Sequence, residues 1–219
     1  MSNIKLYDYW RSSASYRVRI ALNLKRIEYD RIAVNLLKGE QKAPENLKRN
    51  PQGFVPSLDL DDHMMTQSLA IIEYLDERYP APPLMPSTAR ERARVRALSH
   101  AIAMDIHPIC NLSIVQRLVE VSGGGEQTKI SWMHEFITKG LCAFEKLLTD
   151  GHSGRFCHGD QVTLADICLI PQVYNADRWG VDSSHFPKVN AISQRANGLK
   201  AFQKAYPKPK LEASPSNTP

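Results

Sequence analysis

Cysteine is scarce in this sequence, and the little there is does not pair. Cys110, Cys142, Cys157 and Cys168 stand among 219 residues with no Cys-x-x-Cys spacing. That pattern argues against a disulfide framework and for reduced thiols in a cytoplasmic protein. The histidines His100, His107, His134, His152, His158 and His185 show no ligand spacing, so no metal centre is expected. No apolar run approaches the length of a membrane span, and nothing near Met1 reads as a signal peptide. The formal net charge is only +5. The basic residues are scattered, with no arginine-rich or aromatic-interleaved run. This disfavours nucleic acid and suits small anions. Ser12, Ser13 and Ser15 have no histidine nearby and no Gly-x-Ser-x-Gly elbow around them, which excludes an ordinary hydrolase triad. There is no internal repeat.

What is present is enough apolar residue, 42% of the chain, for a sizeable core in one or two compact domains. The first 80 residues mix strands and helices. Ile4 to Tyr9 reads as a strand, and Val18, Ala21, Leu22 and Lys25 have helical spacing. Tyr29 to Val34 alternates as a second strand, parallel to the first if the helix is its crossover. A short helix is expected from Pro44, then a strand from Ser57 to Leu60, a tight turn at Asp61-Asp62 and a partner strand from Met64 to Thr66. Gln67-Ser68 opens a helix with apolar Leu69, Ile71, Ile72 and Leu75. Pro56 before the third strand reads either as an edge or turn residue or as a cis bond after Val55.

Residues 81–87, centred on a Pro-rich run, form a linker between a domain of residues 1–80 and a helical domain of residues 88–206. Residues 207–219 are expected to be disordered. Thr88 and Glu91 form a capping box that opens a long helix through Val95, Leu98 and Ile102, which Pro108 should kink. Gly123-Gly124-Gly125 separates it from a helix over about Ile130 to Leu148. Thr163 and Asp166 form a second box ahead of a further helix, and Pro187 to Tyr206 supplies the last one or two.

The stretch with the most chemistry is Arg11-Ser12-Ser13-Ala14-Ser15-Tyr16-Arg17, a hydroxyl-rich turn from the first strand into the first helix. Such a turn offers unbonded amides and the positive end of a helix dipole at the carboxyl end of a strand. The protein has no activated nucleophile of its own there, and an incoming thiol would fit. Lowering a thiol pKa from about 8.5 by about two units takes roughly 2.7 kcal/mol. A hydroxyl hydrogen bond to a charged acceptor supplies about 1.5–3 kcal/mol. The helix terminus adds about 0.3–1 kcal/mol, and up to ~2 when partly buried. On local sequence alone, the same serines serve equally well as the N-cap of the first helix.

Five pieces in order close this choice by resemblance. They are Ser12-Ser13-x-Ser-Tyr-Arg-Val-Arg-Ile-Ala-Leu22, Val55-Pro56, Gln67-Ser68-Leu-Ala-Ile-Ile-Glu-Tyr-Leu75, Asn111-Leu112-Ser113 and Thr163-Leu-Ala-Asp166. Together they resemble the zeta class of glutathione transferases over about Ile4 to Tyr206. The first piece is specific to that class; the last is shared across the superfamily and marks only the fold. The resemblance implies an α+β thioredoxin-like N-terminal domain (βαβαββα), an all-helical C-terminal domain, a homodimer and glutathione as cofactor. It implies a cis Pro56, with the Val55 backbone pairing with the cysteinyl part of glutathione. Gln67 and Ser68 would then hold the γ-glutamyl end and Gln41 the glycyl end. Ser12 or Ser13 would face the thiol, within a cofactor-binding set that includes Ala14, Ser15, Tyr16, Arg17, His107, Asn111, Leu112 and Ser113. The implied reaction is cis–trans isomerisation of a small diketo acid, maleylacetoacetate, by thiolate addition, rotation and elimination. Arg11 and Arg178 would meet the substrate's carboxylates and developing charge.

Two positions depart from the class pattern. Ala14 stands where a cysteine is common, so the sulfur must come from glutathione alone. His107 stands where isomerases of tyrosine breakdown often carry Gln and maleylpyruvate isomerases carry His, which leaves the diketo acid open. His107 also reads as a helix-surface or kink-satisfying residue, and Arg178 as a surface ion pair with Asp177 or Asp182. The competing functions are a general transferase that conjugates or dehalogenates α-halo acids, and a non-catalytic glutathione-binding protein.

Overall fold

A computed structural model describes residues 4–208 of the chain; the expected tail lies outside the described residues from 209 onward. The chain divides into two compact units. One runs up to Tyr79 and takes in the chain from Lys204, and the other is Pro80–Gln203.

The first unit is built on a four-stranded sheet: β1 Lys5–Asp8, β2 Asp30–Ala33, β3 Ser57–Leu60 and β4 His63–Thr66, in the order β2-β1-β3-β4. β1 and β2 are parallel, joined through helix α1, Ser13–Leu24; β3 runs antiparallel to β1, and β4 to β3. The β1–β3 ladder begins at Tyr7↔Ser57, and the preceding Pro56 has no N–H to extend it. Asp61 and Asp62, at φ 55° and 56°, make the tight β3–β4 turn, a conformation Asp tolerates better than most residues. Register turns Leu6 and Leu58 to one face of the sheet, and Leu60 lies two residues on from Leu58. All three are buried, as are Val18, Ile20 and Leu22 of α1 and Ile71, Ile72 and Leu75 of α3, Ser68–Arg78. The short α2, Pro44–Arg49, carries Pro at its first position, where a missing N–H costs nothing.

Two arginines, Arg17 and Arg19, are buried in this core. Arg19, 1% exposed, donates to Asp8 Oδ2 at 2.6 Å, Trp10 O at 3.0 Å and Ala205 O at 3.0 Å. Asp8 also accepts from Arg31 at 3.0 Å. Burial pulls the Arg19 guanidinium below its ordinary value, and Asp8 opposes that pull.

The second unit is helical. α4, Ala89–His100, starts at Thr88, whose Oγ1 accepts from the Glu91 amide at 3.3 Å. It passes into a π-helical turn, Ala101–Ile106. The expected kink at Pro108 is a full break. The helix stops short of the proline and a new one, α5 Leu112–Ser122, begins at Asn111. Pro108 removes a donor and clashes with the preceding turn, and Asn111 offers a better start by accepting from Ile114 N at 3.1 Å. α6 spans Glu126–Leu147. α7, Leu164–Arg178, is buried continuously from Leu164 to Gln172, as a helix apolar on all sides must be. Its Asp166 carboxylate accepts from Cys157 N and Thr163 N at 2.8 Å and from Thr163 Oγ1 at 3.0 Å. α8 is Pro187–Asn197 and α9 Lys200–Ala205. Among the described residues, no helix is long and apolar enough to cross a membrane.

Candidate active site

Register in the first unit brings three chain segments to one end of the sheet. The carboxyl end of β1 lies beside the amino end of β3 through Tyr7↔Ser57, and the carboxyl end of β4 lies there too through Ser57↔Thr66. The Ser-rich turn follows β1, Val55-Pro56 precedes β3, and Gln67-Ser68 follows β4. The predicted residues of these three segments thus share one sheet end although up to 56 positions separate them in sequence, from Ser12 to Ser68.

At the turn, Ser12 is the N-cap of α1. Its φ/ψ of −66°/123° is extended, and its Oγ accepts from Ser15 N at 3.2 Å. The first helical bond is Tyr16 N to Ser12 O at 2.9 Å, so the amides of Ser13 and Ala14 precede the helix's own ladder. The Ser12 hydroxyl accepts along one direction and keeps its proton to donate along another. Ser13 is buried at 8% exposure, while Ser15, Tyr16 and Arg17 are enclosed at 0–2%. Those three face the interior, so only their backbone is offered at the turn. Arg11 is half-buried, its guanidinium 5.5 Å from the Trp10 ring and 6.0 Å from the Tyr9 ring.

The Val55–Pro56 bond is cis, as the resemblance implied; Ala81–Pro82, which had no sequence signal, is cis too. The loop leading to Val55 is shaped by Asn50, whose Oδ1 accepts from Gln52 N at 3.1 Å and whose Nδ2 donates to Phe54 O at 3.1 Å. A Cβ on Gly53 would lie 3.3 Å from Gln41 O, and the Gly53 φ is +64°. Glycine here lets the loop carrying Gln41 approach the loop before Pro56. Asn46 Nδ2 holds the same Gln41 carbonyl at 3.0 Å.

The third segment opens α3 where the sequence places it: Gln67 is the N-cap and adopts φ +69°. A non-glycine residue in that region is strained, and such strain concentrates at functional positions. The Gln67 side chain does not cap. Its Nε2 donates to Gln52 Oε1 at 2.8 Å. Ser68 is buried and accepts from Arg17 Nη1 at 3.3 Å. Sequence reasoning missed Gln52 altogether; its only signal was its place in the loop ahead of Phe54.

In the second unit, Asn111 Oδ1 accepts from Ser113 Oγ at 2.8 Å as well as from Ile114 N. Both side chains are thereby committed to starting α5, and Leu112 beside them is 39% exposed. His107 ends the π-helical turn, with its N–H donated to Ile102 O at 3.0 Å. Arg178 is the last residue of α7. It donates to Asn175 Oδ1 at 3.2 Å and lies over the Trp179 ring at 5.9 Å.

Two of the protein's own thiols are poor sulfur donors. Burial pushes the Cys110 thiol up to about 12 and the fully enclosed Cys157 well above its ordinary value. Helix-start amides and hydroxyls at α1, the start of α3 and a cis-proline ahead of the central strand β3 together define a thioredoxin-like binding domain. Residues 6–83 match the family model described as Glutathione S-transferase, N-terminal domain, and residues 113–209 the one described as Glutathione S-transferase, C-terminal domain. The chain belongs to the glutathione S-transferase family, in its zeta class. It is 56% identical over 202 residues to a maleylacetoacetate isomerase of Rhizobium meliloti (strain 1021), covering 92% of this chain and 95% of that one. Among solved structures it resembles the holo form of a maleylpyruvate isomerase, a bacterial zeta-class enzyme. The TM-score is 0.92 at 43% identity, over 94% of this chain and 99% of that one. It also resembles a maleylacetoacetate isomerase from Methylobacterium extorquens AM1 with bound malonate and GSH, at TM-score 0.90 and 40% identity over 93% and 96% of the two chains.

Proposed function

We propose that this chain is a glutathione-dependent cis–trans isomerase of a small unsaturated diketo acid, with maleylacetoacetate as substrate and fumarylacetoacetate as product. The observation that carries the reading is the 56% identity to the Rhizobium isomerase over nearly the whole of both chains. The geometry supports it independently. The donor set at the sheet end fits a thiol tripeptide: amides and hydroxyls at the start of α1 for the sulfur, the Val55 backbone for the middle residue, and the start of α3 for a carboxylate. When bound, glutathione supplies a thiolate that adds to the cis double bond and leaves after the resulting single bond has rotated, so it is not consumed. Ser12 and Ser13 donate to the sulfur and hold it ionised. The strained Gln67 and the buried Ser68 fix the γ-glutamyl end, and Gln41 the glycyl end. Arg11 supplies charge to the substrate, and Arg178 and His107 are the residues the resemblance assigns to its carboxylates and to the oxygen that gains charge as the double bond is lost. A homodimer belongs to the same reading.

A second reading, maleylpyruvate as substrate, is favoured by His107 and by the TM-score of 0.92 to the maleylpyruvate isomerase. Spectrophotometric assay of both diketo acids, each with and without glutathione, separates the two. Faster glutathione-dependent turnover of maleylacetoacetate, with glutathione fully recovered, is expected. Faster turnover of maleylpyruvate moves the assignment to the second reading, and consumption of glutathione in proportion to product overturns both.

A further inference from the structure

Helix α6 makes contact with both segments that carry the second unit's substrate-directed groups. Toward the π-helical turn it presents Gly140. A Cβ built there would lie 2.3 Å from both Cγ1 and Cδ1 of Ile106, so the Ile106 side chain fills the space that a side chain at 140 would need. Two turns earlier, Trp132 Nε1 donates to Ile109 O at 2.9 Å, and the indole is steadied by Phe136, ring centroids 4.4 Å apart. These contacts bracket His107, one residue after Ile106 and two before Ile109. From the same helix, His134 Nε2 hydrogen-bonds the Trp179 carbonyl, adjacent to Arg178. A carbonyl only accepts, so Nε2 carries the proton.

The two segments need outside support. His107 sits where the regular ladder has slipped to a five-residue step, with its N–H on Ile102 O, and the next residue, Pro108, has no N–H at all. π-helical turns of this kind recur at functional sites. Arg178 sits where α7 runs out, among the last carbonyls that a helix cannot satisfy internally. At each end α6 supplies one hydrogen bond from outside the segment.

We propose that α6 is the positioning element for the substrate end of this enzyme. Gly140 and Trp132 set the turn that presents His107, and His134 sets the end of α7 that presents Arg178. The proposal rests on the reading that His107 and Arg178 meet the substrate. Gly140, Trp132 and His134 are positioning residues and do not themselves touch it.

The test uses the full chain with maleylacetoacetate and glutathione varied separately. Trp132→Phe keeps the ring and loses the donor, His134→Phe loses the donor, and Gly140→Ala collides with Ile106. Each is expected to raise the half-saturating substrate concentration about tenfold, the worth of one hydrogen bond. The half-saturating glutathione concentration should stay within about twofold. His134→Gln, which restores a donor, and the double variant Gly140→Ala with Ile106→Ala, which removes both colliding atoms, should recover most of the loss. If substrate and glutathione constants move together, or if only the melting temperature falls, or if neither rescue works, the proposal is overturned. His107→Ala and Arg178→Ala serve as references. Should they leave the substrate constant unchanged, the reading beneath the proposal fails and takes it down. Should they raise it while the α6 variants do not, only the proposal fails.

Discussion

Arg17 Nη1 donates to Ser68 Oγ at 3.3 Å across 51 residues of sequence, and both side chains are buried. The bond ties the second turn of α1 to the first residue of α3. Both helix starts that the proposed function needs are therefore braced against each other from inside the unit, without an exposed charge at the ligand.

Replacing Arg17 by Met removes that brace while keeping a long apolar stem. A hydrogen bond to a charged group contributes about 1.5–3 kcal/mol, and about 1.4 kcal/mol is tenfold in affinity. The half-saturating concentration of glutathione should rise about tenfold, with the melting temperature falling as well. Steady-state kinetics at saturating substrate measure the first and calorimetry the second. An unchanged glutathione constant in a folded Arg17→Met protein would refute the link between Ser68 and the ligand.

Ser12 and Ser13 separate by stability as well as by rate. Ser12 caps α1, so Ser12→Ala should lose about 0.5–2 kcal/mol of folding stability, and Ser12→Gly only a few tenths. Ser13 is the first residue of α1 and not its cap, so Ser13→Ala carries none of the capping loss. Each alanine variant should lose a large part of turnover with only modest loss of glutathione binding. Wild-type turnover in the double alanine variant would remove both serines from the chemistry.

Elements bracketed by strong local chemistry were legible in the sequence. β3 spans Ser57–Leu60 as read, because Pro56 cannot extend the ladder at one end and Asp61-Asp62 turns the chain at the other. The Thr163–Asp166 cap was legible for the same reason: all its partners lie within four residues, save the Cys157 amide. The break at Pro108 was half legible. Proline announced an interruption, but the new start depends on Asn111, which was read for its ligand role and not as a cap. The π-helical turn left no trace, since one slipped hydrogen bond needs no particular residue. The burial of Arg17 and Arg19 was opaque because their partners, Ser68 and Ala205, lie 51 and 186 positions away. In the site, the Ser-rich helix start was legible from the residues and the cis bond at Pro56 only through the resemblance, while the strained φ of Gln67 and its bond to Gln52 exist only once the sheet has brought β3 and β4 together.

Acid should loosen the second unit at one identifiable point. Arg94, 14% exposed, holds Asp150 with two bonds of 2.6 and 2.7 Å and also donates to Cys157 O and Ser153 Oγ. That grip lowers the Asp150 carboxyl from 3.8 to about 2. A depressed carboxylate stabilises the fold above its unfolded value, and the contribution is lost as pH falls through the folded one. Asp150 is 41% exposed, so solvent screening reduces its share. Wild type should therefore be more stable than Asp150→Asn at pH 6. The difference should shrink below about pH 4 and vanish near pH 2, measured by urea unfolding across that range. A difference that persisted at pH 2 would show that Asp150 acts through packing and not through charge.

Glutathione should be indispensable to this chain. Ala14 leaves no cysteine at the turn, and the thiols of Cys110 and Cys157 are held protonated by burial. Cys142, on α6, is exposed and is therefore the thiol to test. Dialysis to remove glutathione should bring turnover of maleylacetoacetate down to the uncatalysed rate, and adding it back should restore the full rate. Cys142→Ser should behave as wild type in both conditions. A residual rate without glutathione that Cys142→Ser abolishes would mean the protein lends its own sulfur. The hydroxyls of the Ser-rich turn would then be left with the capping of α1 alone.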